Sequence, residues 1–213
     1  MAIQPVKLKK LLPNQYWLNV GTLEPRKNIK QLLQAYAKLK SQQPTTYPLV
    51  LAGKNGWLNE NIYDLISNLG LKDSVYILGY VDNNELQWLY QNCFCLIYPS
   101  LFEGFGLPVL EAMSFGAPVI TSNVSSLPEV VGNAGLLVTP TCEDEIVEAM
   151  LKMASQPTLR EQLKELGKKQ ASFFSWENTA KSVLQAYYEA LGLPKRSSPA
   201  ILHNESINCM APT

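Results

Sequence analysis

The chain has 213 residues, one to one-and-a-half domains at about 150 residues each. Hydrophobic residues make up 46% and charged ones 17%, and Lys+Arg 18 balances Asp+Glu 18. A neutral chain with pI near 6.6 carries no basic footprint for nucleic acid. No apolar run approaches the roughly 18 residues of a membrane span, and Lys7, Lys9 and Lys10 precede no long apolar stretch, so no signal peptide is read.

The only histidine, His203, sits in a polar C-terminal tail, which excludes a Ser-His-Asp or Cys-His machine and a His-based zinc site. Cys93, Cys95, Cys142 and Cys209 form no C-x-x-C and no disulfide framework. Cys93 and Cys95 are expected to face one side of a strand as buried, reduced thiols of a cytosolic protein. Trp17, Trp57, Trp88 and Trp176 read as core or packing residues. The triplets at Asn123 and Asn204 match the glycosylation pattern but mean nothing in a cytosolic chain.

In chain order, Tyr16 to Val20 reads as a strand ending at Gly21. Asn28 to Gln42 is an amphipathic helix with Ile29, Leu32, Leu33, Tyr36 and Leu39 on one stripe. Strand Leu49 to Ala52 closes at Gly53, helix Glu60 to Leu69 at Gly70, and a third strand spans Val75 to Leu78. Asp82 or Asn83 caps a helix running to Asn92. Strand Phe94 to Tyr98 is followed by helix Leu107 to Phe115, then short strands at Val119 to Thr121 and Leu136 to Val138. Helices Glu143 to Ala154, Thr158 to Phe174 and Glu177 to Leu191 close the series.

This alternation predicts one doubly wound, Rossmann-like parallel α/β domain over residues 14–192. Residues 1–13 read as a linker and 193–213 as a disordered tail. Open α/β sheets bind ligands at the carboxyl ends of their strands. Attention therefore falls on the loops after Val20, Ala52, Leu78 and Tyr98.

The first of these, Gly21 to Asn28, places Arg26 and Lys27 where a strand hands over to a helix. Both are phosphate ligands by chemistry, and both oppose the helix dipole there. The loop Ser100 to Pro108 is the strongest candidate. Gly104 and Gly106 are expected to permit close backbone approach and unusual dihedrals, and Pro108 fits a first helical turn. Amides around Phe105 to Leu107 would then point at an anion. The loop is neither a Walker sequence nor Gly-x-Gly-x-x-Gly. Glu103 and Glu111 supply carboxylates that accept from sugar hydroxyls, although their spacing alone carries no weight. Lys54 reads as a surface lysine.

Together and in this order, the segments GTLEPRKN (Gly21 to Asn28), LVLAGKNGW (Leu49 to Trp57), LGYVDNNELQWL (Leu78 to Leu89), YPSLFEGFGLPVLEAMSFG (Tyr98 to Gly116) and APVITSNVSSLPEVVGNAG (Ala117 to Gly135), with Phe174 to Tyr187, resemble one family. It is the C-terminal, donor-binding half of retaining GT-B glycosyltransferases of group 1, also called family 4. The resemblance covers residues 14 to 191.

The resemblance implies roles. Glu103 contacts the donor sugar and Glu111 the ribose. Arg26 and Lys27 hold the donor diphosphate, the amides of Gly104, Phe105, Gly106 and Leu107 line its phosphate side, and Gly53 and Val81 belong to the nucleotide-binding loops. Thr22 stands where many members carry Arg, which leaves Arg26 and Lys27 as the main cations. The GTLEPRKN form resembles a mannosyltransferase-like subgroup, which points to GDP-mannose over UDP-linked donors. No cofactor and no metal is implied, and the chain has no Asp-x-Asp. The resemblance also implies a partner, an N-terminal acceptor-binding domain or subunit, without which transfer is weak or absent. The location it implies is cytoplasmic, at most peripheral to the inner membrane face. The alternatives are a non-catalytic nucleotide-sugar binder or remnant, and a receiver-type domain. The last lacks an aspartate at a strand end.

Overall fold

The structure, a computed structural model, describes residues 2–8, 12–54, 56 and 62–192. Trp57, His203, Cys209, the Asn204 triplet and the tail 193–213 lie outside the described residues. So does the expected helix start at Glu60.

Six strands, β1 (Trp17–Val20), β2 (Leu49–Ala52), β3 (Val75–Gly79), β4 (Cys95–Tyr98), β5 (Val119–Ser122) and β6 (Leu136–Val138), form one sheet in the order β3-β2-β1-β4-β5-β6. Every pairing is parallel. β1, β2, β4 and β5 are buried at every residue, because helices cover both faces. Alternation along each strand sorts side chains to the two faces. Trp17, Leu49, Leu51, Cys95 and Ile97 join one core with α1 (Ile29–Gln42), α2 (Ile62–Asn68) and α6 (Glu143–Ser155). Leu18, Val50, Ala52, Leu96 and Tyr98 join the other with α3 (Asn83–Asn92), α4 (Leu107–Ser114) and α5 (Leu127–Val131). Helix α7 (Pro157–Ala171) gives Leu163 to the first core and Ala171 to the second. At α3 the anticipated cap is a full capping box, Asp82 accepting from the amides of Asn84 and Glu85 while Glu85 reaches back to the Asp82 amide.

Several readings change. Cys93 and Cys95 do not share a side: Cys93 ends α3 and packs in the second core, whereas Cys95 opens β4 and packs in the first. Both are free, and burial raises their thiol pKa, to about 12 for Cys93. Within the stretch read as a linker, Val6–Leu8 is a 3-10 turn; Leu8 is buried in the second core and Lys7 Nζ donates to the Leu78 carbonyl at 2.8 Å. The short helix α5 was not anticipated. Its Pro128 occupies the first turn, where a missing N–H costs nothing. No described helix is long and apolar enough to cross a membrane.

Contacts divide the chain into two compact units, residues 1–173 and 174–213. The described part of the second is α8 (Trp176–Ala190), capped by Ser175 Oγ on the Asn178 amide at 3.1 Å. None of its residues is buried, and Trp176 is 83% exposed, so it is not the packing residue expected.

Candidate functional site

The strand order reverses between β1 and β4, and the loops beyond them diverge, one feeding α1 on the first face, the other α4 on the second. A crevice opens at such a switch point. The β1–β4 ladder runs only through Trp17↔Cys95 and Leu18↔Leu96. Beyond it, the buried Asn19 bridges the strands, its side-chain amide donating to the Ile97 carbonyl at 2.8 Å.

The β1 loop enters the crevice under tight packing. Gly53, after β2, lies so close to Gly21 that a Cβ on Gly53 would stand 1.9 Å from the Gly21 carbonyl oxygen. Gly53 thus makes a close backbone contact between the β1 and β2 loops. Pro25–Lys27 then makes a 3-10 turn. Asn28 follows in the left-handed region, φ 59°. Its side chain does not cap α1; the amide donates to the carbonyls of Pro99 at 3.0 Å and Pro140 at 2.7 Å, which ties three loops together. The Leu101 amide donates to the Arg26 carbonyl at 2.9 Å, so the β1 and β4 loops hold each other.

This brings Arg26, Lys27 and Glu103 into one group. Arg26 Nη1 donates to Glu103 Oε2 and Lys27 Nζ to Glu103 Oε1, both at 2.7 Å. Lys27 also bonds the Tyr98 hydroxyl, which donates to Glu103 Oε1 at 2.9 Å. Glu103 and Lys27 are buried, 7% and 8% exposed, so the pairing is what makes their charges tolerable there. Burial works against an ionised Glu103, but its hydrogen bonds and the nearby charge, those of Lys27 foremost, outweigh that and hold its pKa below the usual carboxylate range. Burial, then Glu103, pushes the Tyr98 phenol far up, so it stays protonated. Arg26 is the exposed member. It also donates to the Phe102 carbonyl at 3.0 Å and to Glu24 at 2.6 Å, and its bonds to Glu103 and Glu24 outweigh burial and raise its pKa. Three of the five guanidinium N–H groups are thereby engaged, and the other two donate to no described group.

Helix α4 begins beside this group. Gly106 is its N-cap with φ 101°, and a Cβ there would meet Leu127 Cδ2 at 2.6 Å. Gly104 departs from expectation: its φ is ordinary, and a Cβ would meet nothing within 4 Å. The loop is held from β5's far end. The Glu103 amide donates to Ser125 Oγ at 3.1 Å, with Ser125 itself at φ 53°, and the Ser126 hydroxyl reaches the Glu103 and Phe105 carbonyls at 3.0 and 2.9 Å. The amides of Gly104, Gly106 and Leu107 donate to no described group; those of Gly106 and Leu107 are left so by the start of α4.

Glu111 and Val81 are not joined to the charged group by any described hydrogen bond or ion pair. Glu111 Oε2 accepts from Tyr90 at 2.9 Å, and Val81 packs on the second core. Lys54 is exposed as expected, its Nζ 4.7 Å from the Tyr80 ring centroid.

Sequence reasoning overlooked Tyr98, Tyr90, Glu24, Ser125 and Ser126. A signal existed for Tyr98 alone, the last residue of a strand at the sheet's carboxyl end.

Comparison with known proteins agrees with this arrangement. Residues 3–170 match the family described as glycosyl transferases, group 1. O-antigen chain mannosyltransferase B of Escherichia coli is 45% identical over 172 residues, covering 81% of this chain and 45% of the relative, so the match spans less than half of that protein's length. Among solved structures, sucrose-phosphate synthase from Thermosynechococcus elongatus superposes with TM-score 0.75 at 29% identity, over 89% of this chain and 50% of that one. The C-terminal domain of a group 1 family glycosyl transferase from Francisella tularensis gives 0.68 at 22% identity, over 81% of this chain and 93% of that domain, which shows the fold. The chain belongs to the group 1 glycosyl transferases, and its six-stranded Rossmann-like sheet matches the C-terminal half of their GT-B architecture.

Proposed function

We propose that this chain is the donor-binding half of a retaining glycosyltransferase that moves a sugar, with GDP-mannose as preferred donor, to an acceptor hydroxyl. The observation that carries the reading is the Arg26–Glu103–Lys27 group at the β1/β4 switch point, set beside amides of Gly104, Gly106 and Leu107 that have no acceptor among the described residues. When the bond between sugar C1 and the diphosphate oxygen breaks, the electron pair goes to the diphosphate. Arg26, Lys27 and the α4 N-terminus stabilise that charge where it develops. Glu103, paired with both cations, keeps an open acceptor position on Oε2 and accepts from a hydroxyl of the transferred sugar. Gly53 holds the floor of the site, Val81 and its neighbours flank the base, Phe105 belongs to the phosphate loop, and Glu111 takes the ribose.

The mannose preference rests on the mannosyltransferase relative. A match that covers 45% of that relative supports an acceptor-binding N-terminal domain as partner, so transfer by this chain alone is expected to be weak or absent. The test is calorimetric titration of the purified chain with GDP, UDP, GDP-mannose and UDP-glucose, beside Glu111→Ala. Saturable binding of the guanine nucleotides, weakened about tenfold or more in the variant, is expected. Binding of none overturns the reading. Robust sugar transfer by the chain alone overturns the need for a second domain.

A further inference from the structure

Tyr90 sits in the last turn of α3 and is 1% exposed. Its ring stacks on Phe115, with centroids 6.0 Å apart and planes at 14°. Phe115 is the C-cap residue of α4, the helix that carries Glu111. The Tyr90 hydroxyl donates to Glu111 Oε2 at 2.9 Å. Ring and hydroxyl therefore act on the same helix: the stack fixes where α4 ends, and the hydroxyl fixes where its carboxylate points. Among the described residues no other side chain holds that carboxylate; Ser114 Oγ donates to the Glu111 backbone carbonyl instead.

We propose that Tyr90 is a positioning residue that sets Glu111 to read a ribose diol. The proposal rests on the donor-site reading above and adds a specificity determinant to it. Burial, and then the Glu111 carboxylate, holds the Tyr90 phenol well above its ordinary pKa, so it remains a donor across the working pH range. With Oε2 engaged on one side, the carboxylate plane is fixed. Oε1 and the second lone pair of Oε2 then stand as two acceptors on one rigid group, which matches two vicinal hydroxyls. A glutamate already ordered loses less rotamer freedom when the ligand arrives. A nucleoside diphosphate lacking both ribose hydroxyls gains nothing from that order.

The experiment titrates the full chain, as wild type, Tyr90→Phe and Phe115→Leu, with GDP and UDP and with their 2′,3′-dideoxy forms. Wild type is expected to favour the ribose form by about tenfold, the size of a hydrogen bond to a charged group. Tyr90→Phe keeps the ring and its stack. It should lose most of that ratio while binding the dideoxy form as wild type does. Phe115→Leu loses the stack and keeps the hydroxyl bond, and it should retain the ratio. An unchanged ratio in Tyr90→Phe, or an equal loss in Phe115→Leu, overturns the role of the hydroxyl and leaves donor binding standing. Wild type that binds ribose and dideoxy forms alike also overturns it. Wild type that binds neither nucleotide overturns the donor reading and this proposal with it.

Discussion

The two ends of the parallel sheet are built on opposite rules. At the amino end, Trp17 meets Phe94 edge-on at 4.8 Å and Tyr47 meets Phe94 at 5.0 Å, while Arg160 lies 4.6 Å over the Phe94 ring. That end is aromatic packing, and its one buried indole N–H is satisfied by Thr46 at 3.3 Å. At the carboxyl end stand a buried ion pair, a glycine pressed on a carbonyl and a serine at φ 53°. Strain and desolvated charge cost free energy, and the packed end offsets them. The difference teaches that this domain's stability and its binding chemistry come from separable residues, which mutation can test.

The largest effect belongs to the packed end. Trp17→Ala empties a fully buried aromatic site and should cost about 4 kcal/mol in urea unfolding. Nucleotide affinity of the molecules that remain folded should not change. A fall in affinity as large as the fall in stability would show the ends to be coupled.

Glu103→Gln comes next. It leaves Lys27 buried without a counter-charge and should cost about 3 kcal/mol. Adding Lys27→Met should recover most of the stability and none of the donor binding. If Glu103→Gln is as stable as wild type, the pair does not hold the two loops together.

The same group sets a pH dependence. Glu103 has a lower pKa folded than unfolded, so the unfolded chain binds its proton first as pH falls. Its contribution is complete above the ordinary carboxylate range and drains as pH drops through that range towards the folded value. Wild-type stability should therefore decline with acid below about pH 5 more than that of Glu103→Gln, read as urea midpoints at pH 7 and pH 4. Parallel declines would remove Glu103 as the cause.

The contrast between the ends also explains what the sequence disclosed. Strands β2 and β6 were legible to the residue, because short apolar runs bounded by Gly or Pro have one reading in a doubly wound sheet. The capping box at Asp82 was equally local. Arg26, Lys27 and Glu103 were legible as candidates, yet their mutual contact was not, since it depends on β4 lying beside β1 across 76 residues of chain. Ser125 and Ser126 were hidden for the same reason: they reach the Glu103 loop only because β5 follows β4 in the sheet. Cys93 and Cys95 misled because an even spacing places residues on one face only within a strand, and β4 starts at Cys95.

The smallest stability effect gives the sharpest separation of the two rules. Gly104 and Gly106 look alike in sequence but differ in the fold. Gly106→Ala must adopt φ 101° and meet Leu127 at 2.6 Å, and should cost about 2 kcal/mol. Gly104 has an ordinary φ and open space around its Cβ position, so Gly104→Ala should stay within about 0.5 kcal/mol of wild type. Packing within the chain thus gives no reason for glycine at 104. If its amide meets the donor diphosphate, a methyl group there stands where the phosphate must approach, and nucleotide affinity should fall at least about tenfold with stability intact. Unchanged affinity would mean that the anion is held by Arg26 and Lys27 alone, and that the loop's free amides face water.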